Sequence, residues 1–436
     1  MAAAVLAALL AALLVVPLGP ALASQVAEAA VEPVLVAGIP LDFILFAATL
    51  AGVALFHHQT LQVALTGLAV IVLYKVLVTG FAHGAGLTGL AIHLGHEWVT
   101  LANLFCLLMG FALLARHFEE SKFPDLMPAI LPDDWTGAFA LLALVFVLSA
   151  FLDNIAAALI GGTVAREVFR GKIHIGYLAA IVAASNAGGS GSVVGDTTTT
   201  MMWIDGVDPR DVLHAYIAAV IALVAFGIPA SLLQQKVSPI MRNPPSGLKI
   251  DWTRFGLVGV ILVSAIGANV TANLFFPDWL ERLPILGLAV WTAILVTGLV
   301  RRPDFKVLPE TFRGTLFLLS LVTAASMMPV DRLPEASWHS ALGLGFVSAV
   351  FDNIPLTALA LKQGGYDWGV LAFAVGYGGS MVWFGSSAGV ALTNLFPEAK
   401  SVGQWVRGGW FVAVGYVVGF AGLMLLYGWF PHAPHH

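Results

Sequence analysis

The chain has 436 residues, 59% of them hydrophobic and only 10% charged, with a formal net charge of −5 and a mean hydropathy of +0.90. That balance excludes a water-soluble domain, and the few charges, scattered through connectors, give no reason to expect a nucleic-acid partner. Apolar runs of about 20 residues between short polar connectors are membrane-spanning helices, so the expected class is an all-α polytopic membrane protein.

In chain order, residues 1–24 form an Ala/Leu-rich run ending in PALAS. It has the small-residue pattern of a signal-peptidase site without a basic start, and reads as a signal peptide or an extra N-terminal helix. Spans follow at Val34–Phe56, Leu61–Gly80 and Trp98–Arg116. The single cysteine, Cys106, sits mid-span and is a small apolar packing residue. His57 and His58 follow the first span, and His83, His93, His96 and Glu97 lie in and beside the loop before the third. Solvated loop histidines, a pH-sensing group and a zinc site are the readings for that cluster. Lys75, near the outer end of the second span, either snorkels to the interface or balances the negative charge of the pocket.

Residues 136–169 are apolar with polar ends, but SAFLDNI (Ser149 to Ile155) plants an Asp-Asn pair in their centre. That pattern suits a re-entrant hairpin of two half-helices better than a straight span. Residues 173–203 are long enough to cross yet broken by NAGGSGSVVGDTTTT, and Val212–Leu233 closes a first unit, 34–233. A polar linker, 234–254, carries Pro239, Pro244, Pro245 and Gly247. The order then returns over 255–430. Spans at Phe255–Phe276, Leu283–Val300 and Arg313–Pro329 precede a hairpin at 338–362 with SAVFDNI, a broken span at 368–396 with YGGSMVWFGSSAGV, and a last span at Gly408–Phe430.

The chain is therefore read as a duplicated unit, with Asp153 and Asp352 at one equivalent position. Five spans and one hairpin per unit make an odd number of crossings, so the second copy is expected upside down relative to the first, with discontinuous helices at the site. Lysines and arginines test this independently, since short cytoplasmic loops collect them. Arg166, Arg170 and Lys172; Lys236, Arg242, Lys249 and Arg254; and Arg301, Arg302, Lys306 and Arg313 all fall on one side under this count.

An intramembrane carboxylate costs about 3 kcal/mol on insertion scales, so two at matched positions need a cause. Each could simply cap a half-helix. Facing one pocket as Asp153-Asn154 and Asp352-Asn353, they read instead as binding groups for a cation or proton. Asp196, followed by Thr197, Thr198, Thr199 and Thr200, adds a carboxylate on one side only, because its repeat partner is Ser386, followed by Ser387. The hydroxyl run either bonds back within a helix or supplies hard oxygen ligands. Asn186, and more weakly Asn394, are uncharged candidates for the same shell.

These four motifs resemble those of the NhaD-type sodium/proton antiporters, in the ion transporter superfamily that also holds arsenite and dicarboxylate carriers. The resemblance covers both units, about Val34 to Phe430. It implies exchange of sodium, often lithium too, for protons without a cofactor, with Asp153, Asp196 and Asp352 meeting the sodium. It also implies a scaffold part that forms a homodimer, and a transport part of hairpins and broken helices that moves like an elevator. Membrane lipid and inorganic cations are then the partners, and a bacterial inner membrane the location. One departure is visible: Ile155 and alanines follow the first Asp-Asn pair where the family has threonines, and only Thr357 keeps a hydroxyl in the second copy. The residues agree on sign, because aspartates at half-helix tips cancel the attraction such tips hold for anions. A sodium-coupled carrier of a small anion, dicarboxylate or arsenite-like, is the alternative transporter. An intramembrane enzyme with an aspartyl dyad would not need duplicated glycine breaks, so no enzyme is expected.

Overall fold

The computed structural model describes residues 34–432, apart from 57–58, 83, 127, 129–130, 241–248, 277–278 and 280–281. The expectations for residues 1–24, His57, His58, His83 and much of the linker lie outside the described residues. The protein is an all-helical, polytopic membrane protein. Its helices are α1 (Leu41–Leu55), α2 (Thr60–Tyr74), α3 (Gly86–Glu120), α4 (Trp135–Ser149), α5 (Asn154–Val168), α6 (Ile175–Gly189), α7 (Thr197–Ile204) and α8 (Ala215–Val237). Beyond the linker come α9 (Trp252–Phe275), α10 (Ile285–Thr297), α11 (Leu308–Ser326), α12 (Trp338–Ser348), α13 (Asn353–Gln363), α14 (Trp368–Gly378), α15 (Ser387–Leu395), α16 (Val402–Gly408) and α17 (Trp410–Leu426). A two-stranded turn, Leu35–Val36 with Ile39–Pro40, precedes α1.

Among the described residues four helices are long and apolar enough to cross a membrane: Thr60–Thr79, Gly86–Glu120, Arg210–Val237 and Phe305–Ser326. A fifth forms if α16 and α17, bent by 59° at the Gly408-Gly409 pair, count as one span. The spans read at Val34–Phe56 and Leu283–Val300 are shorter as helices, 15 residues in α1 and 13 in α10. Pro40 and Pro284 mark their starts, and Gly298 follows the second.

Two departures from the sequence reading concern polar residues. Helix α3 begins at Gly86, not Trp98, and at 35 residues rises about 50 Å, beyond the ~30 Å hydrocarbon core. His93 and His96 are therefore helical rather than in a loop. The His93 ring turns inward, stacking on Phe81 and meeting Ser326 Oγ at 3.0 Å. Lys75 neither snorkels nor reaches the centre: it opens a π turn, Lys75–Thr79, and pairs at 2.9 Å with the fully buried Asp42 on α1.

Packing divides the helices into two groups. Helices α1, α2, α3, α9, α10 and α11 pack mainly on one another, and α4 to α8 mainly with α12 to α17, with α11 on α13 and α3 on α7 as the main contacts between the groups. The second group carries both Asp-Asn motifs and both glycine breaks. At one end of the molecule Arg254 pairs with Glu120 (2.6 Å), Arg301 with Asp251 (3.1 Å) and Arg116 with Asp304 (3.3 Å). The Arg254 amide and the Arg301 guanidinium hold the Asp251 carboxyl below its usual range. Gln234 bonds Lys172 O and His174 N, and Ser121 O accepts from Asp251 N, so the three basic loops meet at this end. At another junction Asp367, ahead of α14, accepts from the His214 ring (2.6 Å) and from Phe430 N (2.9 Å).

Candidate cation site

Two helix breaks and two Asp-Asn tips are brought together by backbone approaches that leave no room for a side chain. A Cβ at Gly188 would stand 2.0 Å from the Phe146 carbonyl oxygen, and one at Gly378 2.2 Å from that of Gly345. A Cβ at Gly195 would meet Ser149 O at 2.1 Å, and one at Gly385 would meet Ala349 O at 2.6 Å. The glycines matched in sequence therefore do matched work, pressing the break of each unit against the first arm of its own Asp-Asn motif. The second arms pack crosswise: α5 lies against α15, and α7 against α13. Four helix N-termini, those of α5, α7, α13 and α15, are so gathered, each a source of positive potential.

The residues that start these helices are Asp153, Asp196, Asp352 and Ser386. Asp196 Oδ1 accepts from Thr198 N (3.3 Å), Asp352 Oδ1 from Ile354 N (3.0 Å), and Ser386 Oγ from Gly389 N (3.2 Å), whereas the Asp153 side chain makes no capping bond. Capping thus accounts for one oxygen of Asp196 and one of Asp352, while the Asp153 carboxyl lies only near the Asn154 and Ile155 amides.

The amides tie the halves together. Asn154 donates to Asn186 Oδ1 (3.0 Å) and Asp196 Oδ1 (3.2 Å), and Asn186 donates across to Ser380 Oγ (2.9 Å) and Ser386 Oγ (3.1 Å). Ser387 Oγ reaches Asp352 Oδ2 at 3.4 Å. Asp196 lies within electrostatic range of both Asp153 and Asp352. Its second oxygen, Oδ2, and Thr198 Oγ1 are both buried, and the Thr198 side chain lies within reach of the Asp196 carboxylate. Both face Gly376: a Cβ there would be 3.1 Å from Asp196 Oδ2 and 3.8 Å from Thr198 Oγ1. Two buried oxygens turned to one spot beside further carboxylates are a place for a ligand that accepts oxygen lone pairs. Gly376 stands at the repeat position of Asn186, so the space for it exists on one side only.

Several residues singled out in the sequence are placed otherwise. Thr199 and Thr200 bond back to Asp196 O and to Ser192 O and Val193 O, and Thr357 bonds back to Asn353 O. Thr197 opens α7, and Asn353 is buried with its amide nitrogen unpartnered. Asn394 is exposed and holds Lys400. Ser380 and Gly376 were not among the candidates, although Ser380 is the repeat match of Ser190.

No protein-family profile matches the chain. It is 29% identical over 336 residues to sodium/proton antiporter 2 of Arabidopsis thaliana, covering 68% of this chain and 76% of that protein. It is 26% identical over 367 residues to sodium/proton antiporter 1 of the same plant, spanning 60% of that longer protein. To the Na(+)/H(+) antiporter NhaD of Vibrio parahaemolyticus it is 26% identical over 357 residues, 69% of this chain and 84% of the relative. The resemblance carried by the Asp-Asn and glycine motifs is borne out, and the chain is a relative of the NhaD-type sodium/proton antiporters.

Proposed function

We propose that this protein is a secondary transporter exchanging sodium, and lithium in its place, for protons. The observation that carries this reading is the gathering of three carboxylates, Asp153, Asp196 and Asp352, with Asp196 Oδ2 and Thr198 Oγ1 buried and turned to one spot. A desolvated carboxylate holds either a proton or a metal ion at ordinary pH, and competition for the same group couples the two fluxes. Sodium is the cargo. Asp153, Asp196 and Asp352 share its charge, and Thr198, Asn154, Asn186, Asn353, Ser386 and Ser387 supply or orient neutral groups around it. The network consists of carboxylates, amides and hydroxyls, so the anion-carrier alternative is not favoured.

Two inverted units, 34–233 and 255–430, with re-entrant hairpins at 136–169 and 338–362, are the arrangement we infer. The meeting of the three basic loops at one end supports it, with that end cytoplasmic. The two packing groups support a scaffold (α1 to α3, α9 to α11), dimerising in a bacterial inner membrane, against which α4 to α8 and α12 to α17 move as an elevator. Exchange is electrogenic: a single sodium charge favours ionisation of two neighbouring aspartates, so more than one proton leaves. A membrane potential, worth about 2.3 kcal/mol per charge per 100 mV, then drives the cycle. Proteoliposomes with equal pH on both sides and a sodium gradient test both statements. Sodium-driven proton flux that accelerates when valinomycin and potassium clamp the voltage is expected. Flux without any such acceleration means neutral one-for-one exchange, and absence of sodium-driven flux overturns the antiporter reading.

A further inference from the structure

A cleft of about 380 Å³ lies outside the site just described, between α1 and its preceding turn on one side and the two arms α12 and α13 on the other. Phe43, Phe46 and Leu50 line the α1 side, and Val347, Phe351 and Leu356 the other. Phe46, Leu50 and Leu356 form a buried floor, while Val347 and Phe351 are 40% and 57% exposed along the open side. A side-chain charge enters the lining in one place: Arg332, just beyond the end of α11, beside the Gly38 to Pro40 turn. Its partner Asp331 sits at 3.5 Å, both side chains more than half exposed, an arrangement that leaves the guanidinium available to a stronger anion.

The dimensions select an occupant. From Pro40 to Leu50 the α1 wall rises about 15 Å at 1.5 Å per residue, half of the ~30 Å hydrocarbon thickness. The cleft therefore runs the depth of one leaflet, with its cation at the headgroup end and its apolar floor ending at Phe351, the neighbour of Asp352. We infer that a phospholipid with an anionic head group occupies it, one acyl chain lying between α1 and the α12–α13 arms and the phosphate meeting Arg332. A guanidinium binds phosphate oxygens in a two-pronged geometry that suits this role. The cleft joins the two packing groups of the fold, so the bound chain is shared between them.

The test uses the full chain in nanodiscs doped with phosphatidylglycerol bearing a diazirine in its acyl chain, against phosphatidylcholine labelled in the same way. After irradiation, adducts are mapped by mass spectrometry. Adducts concentrated on the Phe43–Phe46 and Val347–Phe351 peptides, several-fold more frequent with phosphatidylglycerol, are expected. Arg332→Gln should abolish the preference between the two lipids, and Ala47→Trp, which fills the cleft from an exposed position on α1, should lower adducts of both. The inference is overturned by equal labelling with both lipids in the unaltered protein. It is equally overturned by a preference that survives Arg332→Gln, by adducts no denser here than on the exposed Leu425 and Leu426 of α17, or by links between two copies of the chain in place of lipid adducts. None of these readouts depends on transport.

Discussion

Asp196 and Thr198 show how a single side chain can separate a structural role from a binding one. If the Thr198 hydroxyl is only a buried group and no ligand, Thr198→Val keeps its shape and leaves sodium binding unchanged. If it is a ligand, the same change leaves the fold intact and weakens sodium binding about tenfold, equivalent to ~1.4 kcal/mol. We expect the second, read as the sodium concentration giving half-maximal proton movement in inverted vesicles. Asp153→Asn, Asp196→Asn and Asp352→Asn keep size but lose the exchangeable proton, and each should insert normally and lose sodium-dependent proton movement. Full activity in both hairpin variants, Asp153→Asn and Asp352→Asn, would return those two to a capping role. Asn186→Ala strands donors and acceptors on both halves at once, at about 1–3 kcal/mol for each buried group left unpaired. Its sodium affinity should fall further than that of Thr198→Val. The Asp-Asn pairs, Asp196 and Asn186 were legible in the sequence because charge and amide groups inside apolar runs are conspicuous. Which hydroxyls bond back to their own helix was not, since Thr198 and Thr200 differ only in what lies opposite them. Asp42 was missed for a similar reason: a carboxylate near a span end resembles an interface residue until Lys75 is found across the helix pair.

At the scale of the element, the glycines decide how closely breaks and tips approach. Gly188→Ala and Gly378→Ala each place a Cβ about 2 Å from a backbone carbonyl oxygen. Backbone cannot yield as a flexible side chain does, so each should destabilise by about 1–3 kcal/mol, seen as a lower thermal midpoint in detergent. Gly343→Ala on α12, where nothing stands within 4 Å, is the control and should be neutral or slightly stabilising, since alanine favours helix. Lys75→Met should be more damaging than its apolar character suggests, because it leaves Asp42 buried and charged, a loss of about 3–5 kcal/mol. Adding Asp42→Asn should recover part of it. The helices themselves were largely legible from apolar runs. The start of α3 was not, because Gly89, Gly95, His93 and His96 read as a loop, whereas Phe81 and Ser326, remote in sequence, turn His93 inward.

At the scale of the whole molecule, the inverted arrangement proposed above makes a directional prediction. In a Cys106→Ala background, single cysteines at Lys172 or Arg302 should react with an impermeant maleimide only from the cytoplasmic face. Cysteines at Asp208 or Asp331 should react only from the opposite face. Reaction of Lys172→Cys and Asp208→Cys from the same side would break the arrangement. The matched motifs were legible because they return almost letter for letter. The crosswise pairing of α5 with α15 and of α7 with α13 was not, because nothing in either unit's own sequence says that its second arm is to be covered by the other.

That crosswise pairing has a consequence for how the protein is made. Asn186 and Asp196 are synthesised long before Ser380 and Ser386, and at about 5–20 residues per second the interval is on the order of ten to forty seconds. Throughout it, the first unit sits in the bilayer with its carboxylates facing water or the insertion machinery, because the residues that enclose them have not yet been translated. Biogenesis therefore includes an interval in which Asn186 lacks its partners from the second unit, and insertion of that unit supplies them. Two polypeptides divided within the linker should consequently recover exchange when co-expressed. Either one alone should be degraded by membrane quality control instead of persisting as a smaller working carrier.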